Sequence, residues 1–334
     1  LFVVYLKGGG WCSLGGSGGD CSTRFRGSAG WPPTRSDMPA PFEARSDNGL
    51  LSTATLAWVF HCTGDAHTGD RAATPHEGEP FAFRGRRVLR AVVDDLISRR
   101  GLGTLPTHKL AIGGCSAGAR GALYNAEMVY KQVAAAGVTF VGVWLDSPLA
   151  ITSEDNVRSA YTSLNLTSAE GGEACAAANP TAPWRCFLPH VRLQHTTLPT
   201  FTANSVVDSM AGMSATDPEG YRNLVLGAAA NSSSAWVSTC DKHCFEKTPE
   251  ASVSCISYQQ AVAAFLSGRT VRVVDDGPGA CPTQGVKCTA CSHGNLDNSP
   301  AASSGTRRND MRILACSAAT VVLEWAVTAI SRLS

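Results

Sequence analysis

The sequence contains few charged residues, and those of opposite sign nearly cancel. Only 16% of its 334 residues are Asp, Glu, Lys or Arg, and the formal net charge is +1 at pH 7. A protein that binds nucleic acid through its phosphates needs a basic surface, which this charge balance does not provide. We therefore expect no nucleic-acid partner.

An internal repeat and a clear membrane span are also missing. The helix predicted for residues 318–333 contains Glu324, and a carboxylate is costly in the core of a bilayer. No Met, basic segment or cleavage site precedes the first predicted strand, so we expect the natural N-terminus and any signal peptide to lie outside this sequence. The hydrophobic content of 44% is ordinary for a globular protein, and we expect one domain over residues 1–334.

Cysteine, in contrast, is abundant. The 13 cysteines are too many for a typical cytosolic enzyme, and their clustering is typical of a secreted protein stapled by disulfides. Two N-x-S/T sequons, at Asn165 and Asn231, favour the same compartment. We expect an extracellular protein. The clusters are Cys12 with Cys21, Cys175 with Cys186, Cys240 with Cys244 and Cys255, and Cys281 with Cys288 and Cys291.

Apolar runs and helical periods alternate along the chain, which predicts a mostly parallel sheet flanked by helices. Ligands bind such sheets at the carboxyl ends of the strands. We expect irregular excursions at about 13–55 and 151–198, the second forming a lid or wall over the site. The predicted strands are Leu1–Leu6, Leu56–His61, Lys109–Ile112, Val138–Leu145, Leu198–Val207 and Thr270–Val274, and the predicted helices are Gly85–Arg100, a segment from Leu123 to Val133, Gln259–Leu266 and residues 318–333.

A G-x-S-x-G pentapeptide, Gly114–Gly118, lies between a predicted strand and a predicted helix. This is the setting of a nucleophile elbow, in which Ser116 sits on a strained turn and small neighbours leave room for a substrate carbonyl. A glycine-rich connection with an exposed serine is the alternative. The elbow interpretation predicts an α/β-hydrolase-like fold.

The first predicted strand leads into Gly8, Gly9, Gly10 and Trp11. Three consecutive glycines leave backbone N–H groups able to converge on an anion, as the oxyanion loop of an acyl-transfer enzyme requires. A flexible loop end is the alternative.

A serine nucleophile needs a histidine base and an acid that orients it, and in α/β-hydrolases the order is Ser, acid, His. We choose His243 because it follows an acid at a strand end and lies on a loop bounded by cysteines. The predicted triad is Ser116, Asp208 and His243, with Asp146 as the rival acid because it also ends a strand. The other histidines after Ser116 are His190, His195 and His293.

Two groups of residues could be imagined as metal ligands. For His61, Asp65, His67 and Asp70 the turn residues and the spacing favour a structured polar loop. For Cys281, Cys288, Cys291 and His293 a zinc site is conceivable, but the secretory cysteine pattern favours disulfides. We expect no metal and no organic cofactor.

Five motifs in this order resemble the pectin acetylesterase/Notum family of secreted carboxylesterases. The resemblance implies Ser116 as nucleophile, His243 as base and Asp208 as its orienting acid. It also implies an oxyanion hole made by the N–H groups of Gly10, Trp11 and Ala117, and a disulfide from Cys62 to a cysteine upstream of Leu1. The motifs are Gly8–Cys12, Cys62–Asp70, Gly114–Gly118, Asp208–Ser209 and Cys240–Cys244.

Three positions depart from the family pattern: Ala119 follows the elbow, Met210 follows Asp-Ser, and His67 replaces an apolar or aromatic residue. They do not change the predicted triad, but the family pattern then does not determine the acyl pocket or the substrate. The resemblance implies a serine esterase that deacetylates an extracellular polysaccharide such as pectin. Removal of a fatty acyl group from a protein, a non-catalytic glycan- or lipid-binding member and a serine peptidase are the alternatives, and oligomeric state is not predicted.

Overall fold

The structure is a computed structural model that describes residues 1–12, 51, 53–72, 74–76, 79–150, 153–166, 172–247, 251–275 and 312–314. For 74–76, 79–81, 247 and 312–314 it describes the backbone alone. Several predictions fall outside the described residues: the body of the excursion at 13–50 with Cys21, the possible zinc ligands Cys281, Cys288, Cys291 and His293, and the helix at 318–333.

A parallel sheet forms the centre of the fold, which confirms the predicted fold class. Its order is β11-β8-β7-β6-β5-β1-β2-β12, and every pairing within it is parallel. The strands are β1 (Phe2–Leu6), β2 (Thr55–Val59), β5 (Lys109–Cys115), β6 (Thr139–Asp146), β7 (Thr200–Ser205), β8 (Ser234–Ser238), β11 (Arg272–Val274) and β12 (Arg312–Leu314). Two small antiparallel pairs join β3 (Thr74–His76) to β4 (Glu79–Phe81) and β9 (Ser252–Val253) to β10 (Ile256–Ser257).

Helices cover both faces of the sheet. Because successive side chains of a strand point to opposite faces, Val4 and Leu6 of β1 pack into one core and Val3 and Tyr5 into the other. The described α-helices are α1 (Gly85–Arg99), α2 (Ala117–Ala135), α3 (Glu154–Ser163), α4 (Glu173–Ala178), α5 (Pro189–Leu193), α6 (Gly212–Thr216), α7 (Pro218–Ala230) and α8 (Tyr258–Leu266). Helices α1, α2 and α7 pack on the first face and α8 on the second.

The second excursion differs from its prediction, because much of 151–198 is helical. It holds α3, α4, α5 and a 3₁₀ turn at Pro183–Phe187. These helices are short, and α3 buries only Val157, Ala160 and Ser163, so a hydrophobic period hardly shows in the sequence. The sequence prediction also missed α7 and β8. The excursion predicted to end at 55 overlaps the start of β2 at Thr55.

Candidate active site

Ser116 lies on the sharp turn between β5 and α2. Its backbone has φ 55° and ψ −121°, a conformation that costs energy for a residue other than glycine and that clusters at functional sites. A Cβ on Gly118 would come within 1.9 Å of the carbonyl oxygen of Leu6. Glycine at 118 is therefore required for α2 to begin this close to β1, and the sequence folds locally into the predicted strand, turn and helix.

The glycine loop after β1 runs beside the elbow. Gly9 and Gly10 have φ values of 151° and 71°, which are easy for glycine alone. A Cβ on Gly8 would lie 3.3 Å from the Cβ of Ser116. Within the described part of the chain, the N–H groups of Gly10, Trp11 and Ala117 make no hydrogen bond. Donors in an oxyanion hole need to be unoccupied in this way before the substrate binds.

Asp208 and His243 meet at the carboxyl ends of β7 and β8. The Nδ1 atom of His243 lies 2.8 Å from Oδ2 of Asp208, and Oδ1 accepts a hydrogen bond from the N–H of Met210 at 2.9 Å. The Asp208 side chain is fully buried, whereas that of His243 is 16% exposed. One nitrogen of the imidazole is thus held by a buried carboxylate, which leaves Nε2 for proton transfer.

The rival acid, Asp146, has another set of partners. It is fully buried, and burial raises the pKa of its carboxyl group. Its oxygens accept hydrogen bonds from two N–H groups of the loop that follows His243 and from two hydroxyl groups outside that loop, so Asp146 stabilises the loop. The donors are the N–H groups of Phe245 at 3.1 Å and Glu246 at 3.0 Å, the hydroxyl of Ser147 at 3.0 Å and that of Tyr258 at 2.9 Å.

The other described histidines that follow Ser116 are His190 and His195, and both lie away from Asp208. His190 lies in α5, where burial lowers the pKa of its ring, and His195 follows that helix. The contact with Asp208 therefore belongs to the histidine that the motif order singles out.

A disulfide joins Cys115, directly before Ser116, to Cys244, directly after His243. The sequence analysis missed this pair because it grouped Cys244 with its neighbours Cys240 and Cys255. The available signal was that each of these two cysteines is adjacent to a predicted triad residue. The bond ties the elbow directly to the histidine loop.

The other cysteines agree with the prediction in part. The Cys175–Cys186 disulfide is confirmed. Cys62 is disulfide-bonded, and its implied pairing with a cysteine upstream of Leu1 stays a prediction. Cys12, Cys240 and Cys255 are disulfide-bonded as well.

The polar side chains of the loop after β2 contact groups within the protein, both in the loop itself and in neighbouring segments. Asp65 accepts hydrogen bonds from the N–H groups of His67 at 3.0 Å and Gly85 at 2.8 Å, and burial raises the pKa of this carboxyl group to about 6. His67 donates from Nε2 to the carbonyl of Lys7 at 2.9 Å, while His61 accepts from the N–H of Ala66 at 2.6 Å. Asp70 pairs with Arg87. Each of the four imagined metal ligands thus has a partner within the protein.

Comparison with known proteins places this arrangement in a family. The sequence profile described as Pectinacetylesterase matches residues 1–244. The chain belongs to the pectinacetylesterase family. It is 25% identical over 279 residues to pectin acetylesterase 11 of Arabidopsis thaliana, which covers 80% of this chain and 66% of the relative. Palmitoleoyl-protein carboxylesterase NOTUM of Drosophila melanogaster is 29% identical over 206 residues, covering 56% of this chain and 30% of the relative.

The solved structures give the same fold. The Drosophila Wnt deacylase Notum superposes with a TM-score of 0.71 at 20% sequence identity, over 83% of this chain and 87% of that one. The chain spans 30% to 66% of the length of the curated relatives named above. Among the described residues, no helix is both long and apolar enough to cross a bilayer.

Proposed function

We propose that this member of the family is a serine carboxylesterase with Ser116 as nucleophile, His243 as general base and Asp208 as the acid that orients the base. The contact between His243 and Asp208, 2.8 Å long, carries the proposal. It lies at the same edge of the sheet as the strained turn of Ser116. The names of the relatives, carboxylesterases and pectin acetylesterases, support the same reaction type.

The proposed reaction proceeds in two steps. Ser116 attacks the ester carbonyl while Nε2 of His243 takes its proton, and the N–H groups of Gly10, Trp11 and Ala117 stabilise the oxyanion. His243 then protonates the leaving alcohol, and an acyl-enzyme remains. Water repeats the sequence with His243 as base, which releases the carboxylic acid and free Ser116. These steps need no metal and no organic cofactor.

The proposed substrate is an acetylated extracellular polysaccharide such as pectin. The similarity to pectin acetylesterase 11 extends over 80% of this chain, against 56% for the Drosophila carboxylesterase. An extracellular location accords with the disulfides.

Hydrolysis of a p-nitrophenyl ester series from acetate to palmitate tests the proposal. We expect turnover of the short esters and its loss in Ser116→Ala, with acetate released from acetylated polygalacturonan. The matched control is Ser209→Ala, which changes an exposed serine next to Asp208. This variant should retain activity. Palmitate turnover exceeding acetate turnover would shift the substrate to an acylated protein. Folded protein without turnover on any ester would favour a non-catalytic binding protein, and amide hydrolysis would favour a peptidase.

A further inference from the structure

Arg120 occupies an unusual place for a cation. It lies on α2 one turn after Ser116, and its N–H donates to the carbonyl of Ser116 at 3.1 Å. The residue is only 6% exposed. Its guanidinium stacks over the ring of Trp11 at 4.1 Å, and Nη2 donates to the carbonyl of Phe187 at 3.2 Å.

The charge of Arg120 has no counter-ion in the part of the chain that the structure describes. Among the described residues, its buried Nη1 atom has no hydrogen-bond partner and no carboxylate contacts the guanidinium. Burial lowers the pKa of Arg120 to about 9, so the group remains protonated at neutral pH. A buried cation is costly unless an anion or several hydrogen bonds compensate it.

Arg192 repeats this pattern across the same cavity. It is 3% exposed, and its Nη2 donates to the carbonyl of Tyr124 at 3.4 Å. Its Nη1 is buried without a hydrogen-bond partner among the residues that the structure describes. Burial lowers the pKa of Arg192. The half-buried carboxylate of Glu127 raises this pKa, and the positive charge of Arg86 lowers it. The two guanidinium groups therefore carry more positive charge than the described residues around them neutralise.

One small cavity is lined by both arginines together with Trp11, Tyr124 and Phe187. The volume of this cavity that is accessible to water is about 10 Å³. This is about the space that one water molecule needs. The small volume favours a monatomic ion over a carboxylate, which has three heavy atoms. A halide ion such as chloride is nearer to a water molecule in size, and its negative charge offsets one of the two cations.

We propose that the cavity between Arg120 and Arg192 is a binding site for a small monovalent anion of the size of chloride. The ion offsets one of the two buried positive charges and fixes Arg120 against Trp11. Because Trp11 belongs to the glycine loop beside Ser116, anion binding also orders that loop. The site itself does not depend on the proposed esterase function.

Thermal unfolding of the wild-type protein in sodium chloride, sodium bromide and sodium gluconate at equal ionic strength tests the site. Gluconate, an organic carboxylate, is much larger than a halide ion. We expect chloride and bromide to raise the Tm by about 2 °C or more relative to gluconate. Arg120→Met and Arg192→Met should abolish the difference, and Arg269→Met, which removes an exposed arginine, should retain it.

Crystals of the wild-type protein grown in bromide provide a second measurement that needs no variant. Anomalous scattering from bromide between Arg120 and Arg192 is the expected result. A water in that position, together with equal Tm values in chloride and gluconate, would overturn the proposal. So would a halide effect that persists unchanged in Arg120→Met, since the stabilising ion would then bind elsewhere.

Discussion

Two buried aspartates at neighbouring strand ends have different partners in this protein. Asp208 contacts the ring of His243, whereas Asp146 accepts N–H groups from Phe245 and Glu246. The first arrangement orients an imidazole, and the second holds a loop. Substituting each carboxylate by its amide separates these two effects.

Asp208→Asn should lower kcat by about a thousandfold to ten-thousandfold with little change in KM, because an amide no longer holds the catalytic tautomer of His243. Asp146→Asn should mainly lower the free energy of unfolding, by about 2 kcal/mol, because an amide NH₂ then faces backbone donors. Steady-state kinetics and urea unfolding of both variants provide the measurements. A larger loss of kcat in folded Asp146→Asn than in Asp208→Asn would contradict the assignment.

His67 gives stability a defined pH dependence. Burial lowers the pKa of its ring from 6.5 to about 4, so the folded protein keeps this ring neutral while the unfolded chain takes up a proton. The stability that depends on neutral His67 is present above pH 6.5 and is lost as the pH falls towards 4. The shift corresponds to about 3 kcal/mol.

His67→Gln retains a side-chain donor for the carbonyl of Lys7 but does not titrate. The wild-type protein should therefore lose about 3 kcal/mol of unfolding free energy relative to this variant between pH 6.5 and pH 4. Urea unfolding of both proteins at several pH values gives the difference. A constant difference across that range would show that His67 is not held neutral.

At the scale of the elements, the site is assembled from loops that follow four parallel strands. The glycine loop follows β1, the elbow β5, and the loops of Asp208 and His243 follow β7 and β8. The Cys115–Cys244 disulfide crosses this edge over a sequence separation of 129 residues. It connects the backbone beside the proposed nucleophile to the backbone beside the proposed base.

Replacing both Cys115 and Cys244 by Ala should lower kcat tenfold to a hundredfold, because misplacement of a catalytic group by about 1 Å has effects of this size. The double variant of Cys175 and Cys186, whose disulfide spans 11 residues, should lose stability and keep kcat. Kinetics on protein shown to be folded by circular dichroism compares the two. Equal kcat in both variants would show that the first disulfide has no positioning role.

At the scale of the whole molecule, strands from residues 2–6 to 312–314 share one sheet. The single domain over 1–334 stays a prediction that this sheet favours. The formal charge is made of 28 basic and 27 acidic residues, with eight histidines in addition. The isoelectric pH is therefore close to neutrality.

Solubility should pass through a minimum slightly above pH 7, because little net charge remains there to keep molecules apart. It should rise towards pH 6 as the histidines gain protons. Precipitation by polyethylene glycol across this pH range measures the effect. A solubility that increases steadily through pH 7 to 8 would mean that the folded protein carries a different net charge.

The sequence by itself determined the parallel α/β fold, the turn of Ser116 and the order of the site motifs, since apolar runs and glycine spacing encode local conformation and burial. The short helices at 154–193 gave no such signal. Only the tertiary structure decided that Asp208 rather than Asp146 contacts His243, that Cys115 pairs with Cys244, and that Arg120 and Arg192 share a cavity. These are contacts between distant segments, and the lateral order of the strands, which no local pattern contains, brings their ends together.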